Sequence, residues 1–421
     1  MGFLSKLIPK KGKRGNYALS LDIGTSMVKA LIFDVDQEHM RGEVIGVGRQ
    51  KQGLADMQSG AVSDIAAVVH NVEQALERAE AMAGVMPEQV ILGIAGELVK
   101  GKTTTVHYER TSPTSKIDLP ELKNIIQKVQ WKAFERVRKQ LAWETGMPEI
   151  DVKLINAAIV EVQIDGYPVT NPIGFQGKDV QIGIFNAYAP LIHLGALQTI
   201  ARELNLDLLS IAAEPYAVAR SVGVEDSVEF NAIFIDIGGG TTDIAVVRGG
   251  GIEGTKMFAL GGRAFTKRLA TVLNVQFDEA ERIKIKYSEG KLPPELTAKV
   301  QEALQADAAV WLSGVELALA DFSALEPLPT KILLCGGGSS LPEIKSALGR
   351  NTWRRGLAFP RKPAVHFIKP SEVSNIVDRT GELNTVQDIT PMALANVALD
   401  LAGEESMTQN ILRRVVRMMQ T

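Results

Sequence analysis

The sequence predicts a two-lobed α/β protein, and three observations carry that expectation. YALSLDIGTSMVKALIFD (17–34) and NAIFIDIGGGTTDIAVVRGG (231–250) share one grammar: apolar strand, Asp-Ile-Gly, hydroxyls, second apolar strand. About half the chain separates the two copies, and an internal repeat dictates architecture before any local signal does. ILLCGGGSSLPEI (332–344) adds a third strand that ends in a glycine turn. Mixed strands and helices fill the rest in the order of an α/β protein.

The elements follow in order. After the first repeat, Ser63 to Ala83 reads as a helix with Ile65, Val68, Val69, Val72, Leu76 and Ala79 on one face. Ser63 is its expected N-cap and Gly84 its stop. VILGIAGELVKG is strand-like, and a Thr/Ser/Pro-rich stretch runs from it to Lys116. Asp118-Leu-Pro-Glu121 has capping-box spacing and opens a long helix. Val160, Val162 and Ile164 alternate into the Asp165-Gly166 turn, a hairpin signal, and Val180, Ile182 and Ile184 alternate again. Residues 90–190 therefore read as a compact strand-helix-strand-strand insert. Helical segments run from about Arg263 to Leu319 after the second repeat.

Composition removes several function classes. The 421 residues exceed one simple core, and 45% hydrophobic with 23% charged residues is ordinary for a globular chain. A net charge of -3 gives no global nucleic-acid footprint. Cys335 is the single cysteine, which suits a reducing compartment. His39, His70, His107, His193 and His366 are scattered without metal-ligand spacing, so a protein-built zinc site is not expected. No uninterrupted apolar run reaches the ~18–20 residues of a membrane span. MGFLSKLIPKKGKRG places basic residues after a short apolar start, the reverse of a secretory signal.

Glycine at a strand end lets the backbone approach an anion and aim several N–H groups at it. Hydroxyls such as Thr25, Ser26 and Thr241 add donors without bulk. Asp22 and Asp236 would repel phosphate directly, so their expected role is to hold Mg²⁺ through water. Two such turns facing each other would clamp a triphosphate. Glu214 stands before a proline at a strand end, either as a charge favoured by a helix N-terminus or as a catalytic acid. Glu281 completes a capping pattern with Asp278 or contacts a nucleotide, and Lys284 shares its helix face. At the far end Ile411, Leu412, Val415, Met418 and Met419 share one side of a helix, with Arg413, Arg414 and Arg417 mostly opposite. Such a basic amphipathic helix suits a membrane interface or packing on the parent body.

Further motifs carry a family resemblance. GLADMQSGAVSDI, the helix ending EAMAG, and QVILGIAG stand in family order; NPIGFQG (171–177) is similar to an Asn-Pro-Ile-Gly-Met-x-Gly signature; AERIKIKYSEG resembles an Ala-Glu-x-x-Lys-x-x-Tyr-Gly helix. Together they resemble the actin–hexokinase–heat-shock chaperone superfamily and, within it, the FtsA family of bacterial division proteins, over nearly the whole chain.

The resemblance implies an actin-like fold, a duplicated ribonuclease-H-like core with the insert in the first lobe. It implies a first-lobe core over 15–90 completed by 191–212 and about 390–403, and an insert over 91–190. The second-lobe core is then 213–262 and 330–389, with a helical subdomain over 263–329 and a membrane-targeting helix over 404–421. Asp22, Gly24, Thr25 and Ser26 would form the first phosphate turn, and Gly238, Gly239, Gly240 and Thr241 the second. Asp236 would sit near Mg²⁺, and Glu214 would position the attacking water. Gly261, Gly262, Glu281, Lys284, Gly336, Gly337 and Gly338 would surround ribose and adenine.

The implied cofactors are ATP and Mg²⁺, with at most slow ATPase activity. The implied partners are the FtsZ C-terminal peptide, further copies in filaments, the anionic inner-membrane surface at the division site, and later divisome proteins. The implied location is the cytoplasmic face of that membrane. Thr352 to Pro391 is longer than the family's segment, and ITPMALANVAL lacks its Gly-Leu, which sets the lower second lobe apart. Two alternatives share the superfamily: a PilM-like adaptor of pilus assembly, and a small-molecule kinase, for which no sugar-binding signature is present.

Overall fold

The computed structural model describes residues 16–36, 38–96, 99–145, 152–223, 229–323 and 326–402, together with Ile411, Leu412 and Val415. The basic stretch 1–15 lies outside them.

The chain opens with β1 (Tyr17–Ile23), β2 (Met27–Asp36) and β3 (Arg41–Lys51), a short hairpin β4 (Met57–Gln58) and β5 (Ala61–Val62), then α1 (Ile65–Ala83) and β6 (Gln89–Ile94). α1 begins one residue later than expected: Asp64, not Ser63, accepts a hydrogen bond from the Ala67 N–H, and Gly84 in the left-handed region closes the helix. Val68, Val72, Leu76 and Ala79 are buried, whereas Ile65 at the first turn is 38% exposed. α1 can lie close to the sheet because β3 carries glycine beneath it. A Cβ on Gly48 would overlap the Ala75 carbonyl oxygen and stand 2.8 Å from its carbon. Gly48→Val is therefore expected to lower stability by roughly 3 kcal/mol or more. A urea titration with a shifted midpoint and unchanged slope is the check.

The insert follows as β7 (Lys100–Glu109), α2 (Leu119–Thr145), β8 (Val152–Ile164), the short β9 (Tyr167–Pro168) and β10 (Asp179–Pro190). Asp165 and Gly166 both take positive φ, +48° and +81°, which makes the anticipated tight turn between β8 and β9. Asp118 caps α2 by accepting from the Glu121 N–H at 2.8 Å. The polar stretch before α2 is held by Arg110, whose fully buried guanidinium donates to both Glu121 oxygens at 2.8 and 2.7 Å and to the carbonyls of Ser115 and Gly177.

α3 (Leu191–Glu203), β11 (Asp207–Ala213) and α4 (Glu214–Ser221) lead into the second repeat: β12 (Ala232–Ile237), β13 (Thr242–Arg248) and β14 (Gly251–Phe258). α5 (Gly262–Leu273), α6 (Phe277–Ser288), α7 (Pro294–Ser323), β15 (Lys331–Cys335), α8 (Pro342–Gly349), β16 (Ala364–Phe367), β17 (Ile376–Asp378) and α9 (Ile389–Ala402) complete the chain.

The repeat is a duplication of topology. One sheet runs β11-β6-β1-β2-β3-β17, and the other opens β16-β15-β12-β13-β14. Each has a three-strand meander with two parallel strands added beside its first strand, and the first sheet adds β17 parallel to β3 at the other edge. Pleat alternation divides β12 between two cores. Ala232 and Phe234 join the cluster shared with the first sheet, α4 and α9, while Ile233, Ile235 and Ile237 join that of α5, α7 and α8. α7 is the one described helix long and apolar enough to cross a membrane by length and composition. Its Val300, Leu304, Trp311, Val315 and Leu319 are buried in this second core, as in a helix of a water-facing body.

Three placements differ from the sequence expectation. β6, expected within the insert, lies in the first sheet between β11 and β1. β17 crosses back early, pairing Ile376 with Gly42 in the first sheet rather than joining the second lobe. The insert, though it interrupts the first half of the chain, extends the second sheet: Gly254 pairs with Lys102 and Thr255 with Gly101 along β14 and β7. β10 serves both sides, giving Ile182 and Ile184 to the insert's own core and Phe185 and Ala187 to the large one.

Candidate functional site

The two Asp-Ile-Gly turns have one geometry. The Gly24 N–H donates to the Met27 carbonyl at 3.2 Å, and the Gly238 N–H to the Thr241 carbonyl at 3.0 Å. They meet tip to tip. A Cβ on Gly239 would overlap Ser26 Oγ, and one on Gly240 would stand 2.6 Å from Thr25 Oγ1. Glycine here thus admits the opposite jaw as well as an anion. Arg263 ties the jaws: its Nε donates to Ser26 Oγ at 3.2 Å and its Nη2 to the Gly53 carbonyl at 2.9 Å.

Beneath the tips lies a buried acid cluster. Strand pairing sets Asp22 opposite Lys29 in one jaw and Asp236 opposite Asp243 in the other. Lys29 Nζ is 2.8 Å from Asp22 Oδ2. Burial alone would lower the Lys29 ammonium, but Asp22, Asp236 and Glu214 outweigh it and hold it above its ordinary range. Glu214 begins α4, is buried and faces the same cleft. Burial, reinforced by Asp22, Asp243 and Asp236, pushes its carboxyl well up. Asp236 and Asp243 are raised too, first by burial. Asp236 accepts from Thr390 Oγ1, whereas Asp243 Oδ1 has no hydrogen-bond partner. Among the described residues no three His, Cys, Asp or Glu side chains converge to chelate an ion directly.

The second-lobe wall is built by α5, α6 and the third glycine turn. Lys284 Nζ donates to the Gly262 carbonyl at 3.0 Å and to Thr266 Oγ1 at 2.7 Å, and pairs with Glu281 at 2.8 Å. Burial lowers Lys284, with Glu281 opposing. Glu281 also accepts from Thr266, so its carboxylate braces α5 against α6 instead of capping a helix. Asp278, its expected capping partner, pairs with Lys51 at 2.6 Å. Gly336, at φ +78°, brings the third turn against Asp236.

One cleft therefore collects Asp22, Gly24, Thr25, Ser26, Glu214, Asp236, Gly238, Gly239, Thr241, Gly262, Glu281, Lys284, Gly336, Gly337 and Gly338. Gly240 and Gly261 do not line it; Gly261 packs behind the second turn, where a Cβ would stand 2.7 Å from the Gly238 carbonyl oxygen. Lys29, Asp243, Gly60, Gln387 and Thr390 line the cleft and were not singled out from sequence. Extending the repeat alignment to the strand after each turn would have found Lys29 and Asp243, which occupy the same place in it. Gln387 and Thr390 arrive from a remote segment with no local signature.

The C-terminal expectation needs correction. Ile411, Leu412 and Val415 are buried in the insert's apolar core with Ile125, Ile126 and Val129, so these three side chains are engaged by protein and closed to lipid. Arg413, Arg414, Arg417, Met418 and Met419 lie outside the described residues.

Two sheets of one topology, closing paired glycine-hydroxyl turns over a shared cleft, define an actin-like fold. The structure of a PilM-PilN type IV pilus biogenesis complex shares this fold, with a TM-score of 0.63 at 17% identity over 92% of this chain and 99% of that one. Residues 233–377 match the family described as Cell division protein FtsA. FtsA of Streptococcus pneumoniae serotype 2 is 27% identical over 352 residues, 78% of this chain and 72% of that protein. FtsA of Neisseria meningitidis serogroup B is 31% identical over 288 residues, 64% of this chain and 61% of that protein. Within the actin-like fold class, the chain is similar to the cell-division protein FtsA over the stretches given.

Proposed function

We propose that the chain is an ATP-binding, actin-like scaffold of bacterial cell division. The observation that carries this reading is the pair of matching turns closing over one cleft in an FtsA relative. The residues present suit a nucleotide with a divalent cation. Four buried carboxylates share one ammonium, and Asp243 carries an oxygen without a partner. Backbone N–H groups and hydroxyls of the two turns would hold the phosphates. Asp22 and Asp236 would hold Mg²⁺ through water, and the ion would supply charge neutralisation. Gly262, Glu281, Lys284 and Gly336 to Gly338 would seat the nucleoside. Burial and the neighbouring Asp22, Asp243 and Asp236 hold the Glu214 carboxyl well above its ordinary range, which makes it harder to ionise as a base and favours holding ATP over turning it over.

As a division scaffold the chain would form filaments, lie on the cytoplasmic face of the membrane at the division site, hold the FtsZ C-terminal peptide and recruit later divisome proteins. Weak contacts repeated along a filament would bind far more tightly than one copy. Calorimetric titration with ATP, with and without Mg²⁺, tests the cleft: saturable binding strengthened by the ion is expected. Fluorescent localisation tests the setting. Mid-cell bands are expected, whereas polar or dispersed foci would instead indicate a pilus-assembly adaptor.

A further inference from the structure

The insert carries a surface that the nucleotide cleft leaves unexplained. α2 buries Leu122, Ile125, Ile126, Val129, Ala133 and Val137 and turns its opposite face outward. Trp131 stands at the centre of that outer face, 55% exposed. Around it, exposed, lie Lys123, Lys128, Lys132, Arg138 and Lys139, with Glu135 the one acid among them. The cationic residues span ~24 Å of helix, on a chain whose net charge is -3. The indole is braced from below: its ring lies 6.1 Å from Phe134, which lies 5.8 Å from the buried Tyr188.

We propose that this face of α2 docks the protein on an anionic lipid surface, which refines the membrane reading above and rests on it. The outward face of a single helix, with its cationic groups dispersed along it, suits a diffuse plane of negative charge. A rigid indole with an apolar body and a polar N–H belongs at the headgroup boundary. The tail's Ile411, Leu412 and Val415 are meanwhile held in the core of the same insert. Among the described residues, Trp131 and the cationic side chains of this α2 face stay exposed while those of the tail are engaged, with Lys128 also standing 5.1 Å over the Tyr108 ring.

The test is flotation of the full chain with vesicles of phosphatidylcholine, alone or mixed with phosphatidylglycerol. Wild type should bind only the anionic mixture. Each lysine near the surface contributes roughly fivefold, so Lys128→Glu with Lys132→Glu should lower partitioning more than tenfold. Trp131→Ala should lower it severalfold. Lys267→Glu with Lys299→Glu, exposed on α5 and α7, should bind as wild type. Thermal melts check that each variant stays folded: Lys128 stands over the Tyr108 ring and Trp131 leans on Phe134, so a small drop is expected for those variants and none for the Lys267 and Lys299 pair. In a Trp143→Phe background, anionic vesicles should blue-shift the emission, and Trp131→Phe should remove the shift. If Arg413→Glu, Arg414→Glu and Arg417→Glu together abolish binding while the α2 variants bind normally, the α2 assignment is overturned and the membrane reading stands. If wild type binds no vesicle but is retained on an acidic polypeptide or nucleic acid, both are overturned.

Discussion

Gly239→Val is expected to reduce ATP affinity at least a hundredfold, about 2.8 kcal/mol. A valine there would have to displace Ser26: its Cβ alone overlaps Ser26 Oγ and stands 2.7 Å from Ser26 Cβ and 3.0 Å from the Ser26 N. The backbone of both turns is fixed by its own hydrogen bonds, so the strain is relieved by parting the jaws rather than by rotating one side chain. Parting them also pulls Ser26 from Arg263, whose other contacts reach the Gly53, Leu54 and Met57 carbonyls. The phosphate donors of the two turns then no longer face one point. Calorimetry gives the affinity, and a thermal melt separates a local effect from unfolding, since β12 and β13 pair on either side of the turn unchanged. Wild-type affinity in a folded Gly239→Val protein would refute the assignment of this turn to the phosphates.

Both jaws were legible because they are written twice. Asp22 and Asp236, Gly24 and Gly238, and the hydroxyls after them repeat in sequence, and the strands pair in the same register. The insert's later order was legible because β8 and β10 alternate beside a capped helix, but its first strand was not: β7 lies in the stretch that reads as polar, and the apolar β6 that reads as its first strand belongs to the first sheet. What stayed hidden was long-range. Pairing of β14 with β7 rests on two residue pairs, and the return of β17 to β3 on three, too few to leave a pattern. Glu281 shows a second limit. Spacing from Asp278 fits a capping box, but Lys284 and Thr266 offer it a buried site and Lys51 takes Asp278, so tertiary partners override the local motif. The C-terminal helix shows a third. An apolar stripe at helical spacing satisfies lipid and protein equally. Whether Leu412 faces one or the other depends on whether a matching core lies within reach, which residues 404–421 alone do not encode.

Lys29→Met is expected to destabilise the protein by roughly 3–5 kcal/mol near neutral pH, as removing one partner of a buried ion pair does. The register of the repeat explains the size. Lys29 and Asp243 hold equivalent positions, so one jaw contributes an ammonium where the other contributes a fourth acid. Lys29 is paired with Asp22 and lies within the field of Asp236 and Glu214. Methionine keeps the volume and leaves the carboxylates without a counter-charge. The sign with pH follows. Glu214, Asp236 and Asp243 are raised in the folded state, so the folded protein holds their protons more tightly than the unfolded chain does. The cost is absent below the unfolded carboxylate range, about pH 4, and grows as pH rises through that range towards the folded values. Losing Lys29 raises those values further, so the gap between variant and wild type should widen from mildly acidic to neutral pH. A divalent cation bound at Asp22 and Asp236 would replace the missing charge, and Mg²⁺ should stabilise the variant more than the wild type. Urea midpoints across this pH range, with and without Mg²⁺, decide both points. Equal midpoints at neutral pH would show that Lys29 does not neutralise the cluster, and an Mg²⁺ effect no larger in the variant than in wild type would remove the cation from this cleft.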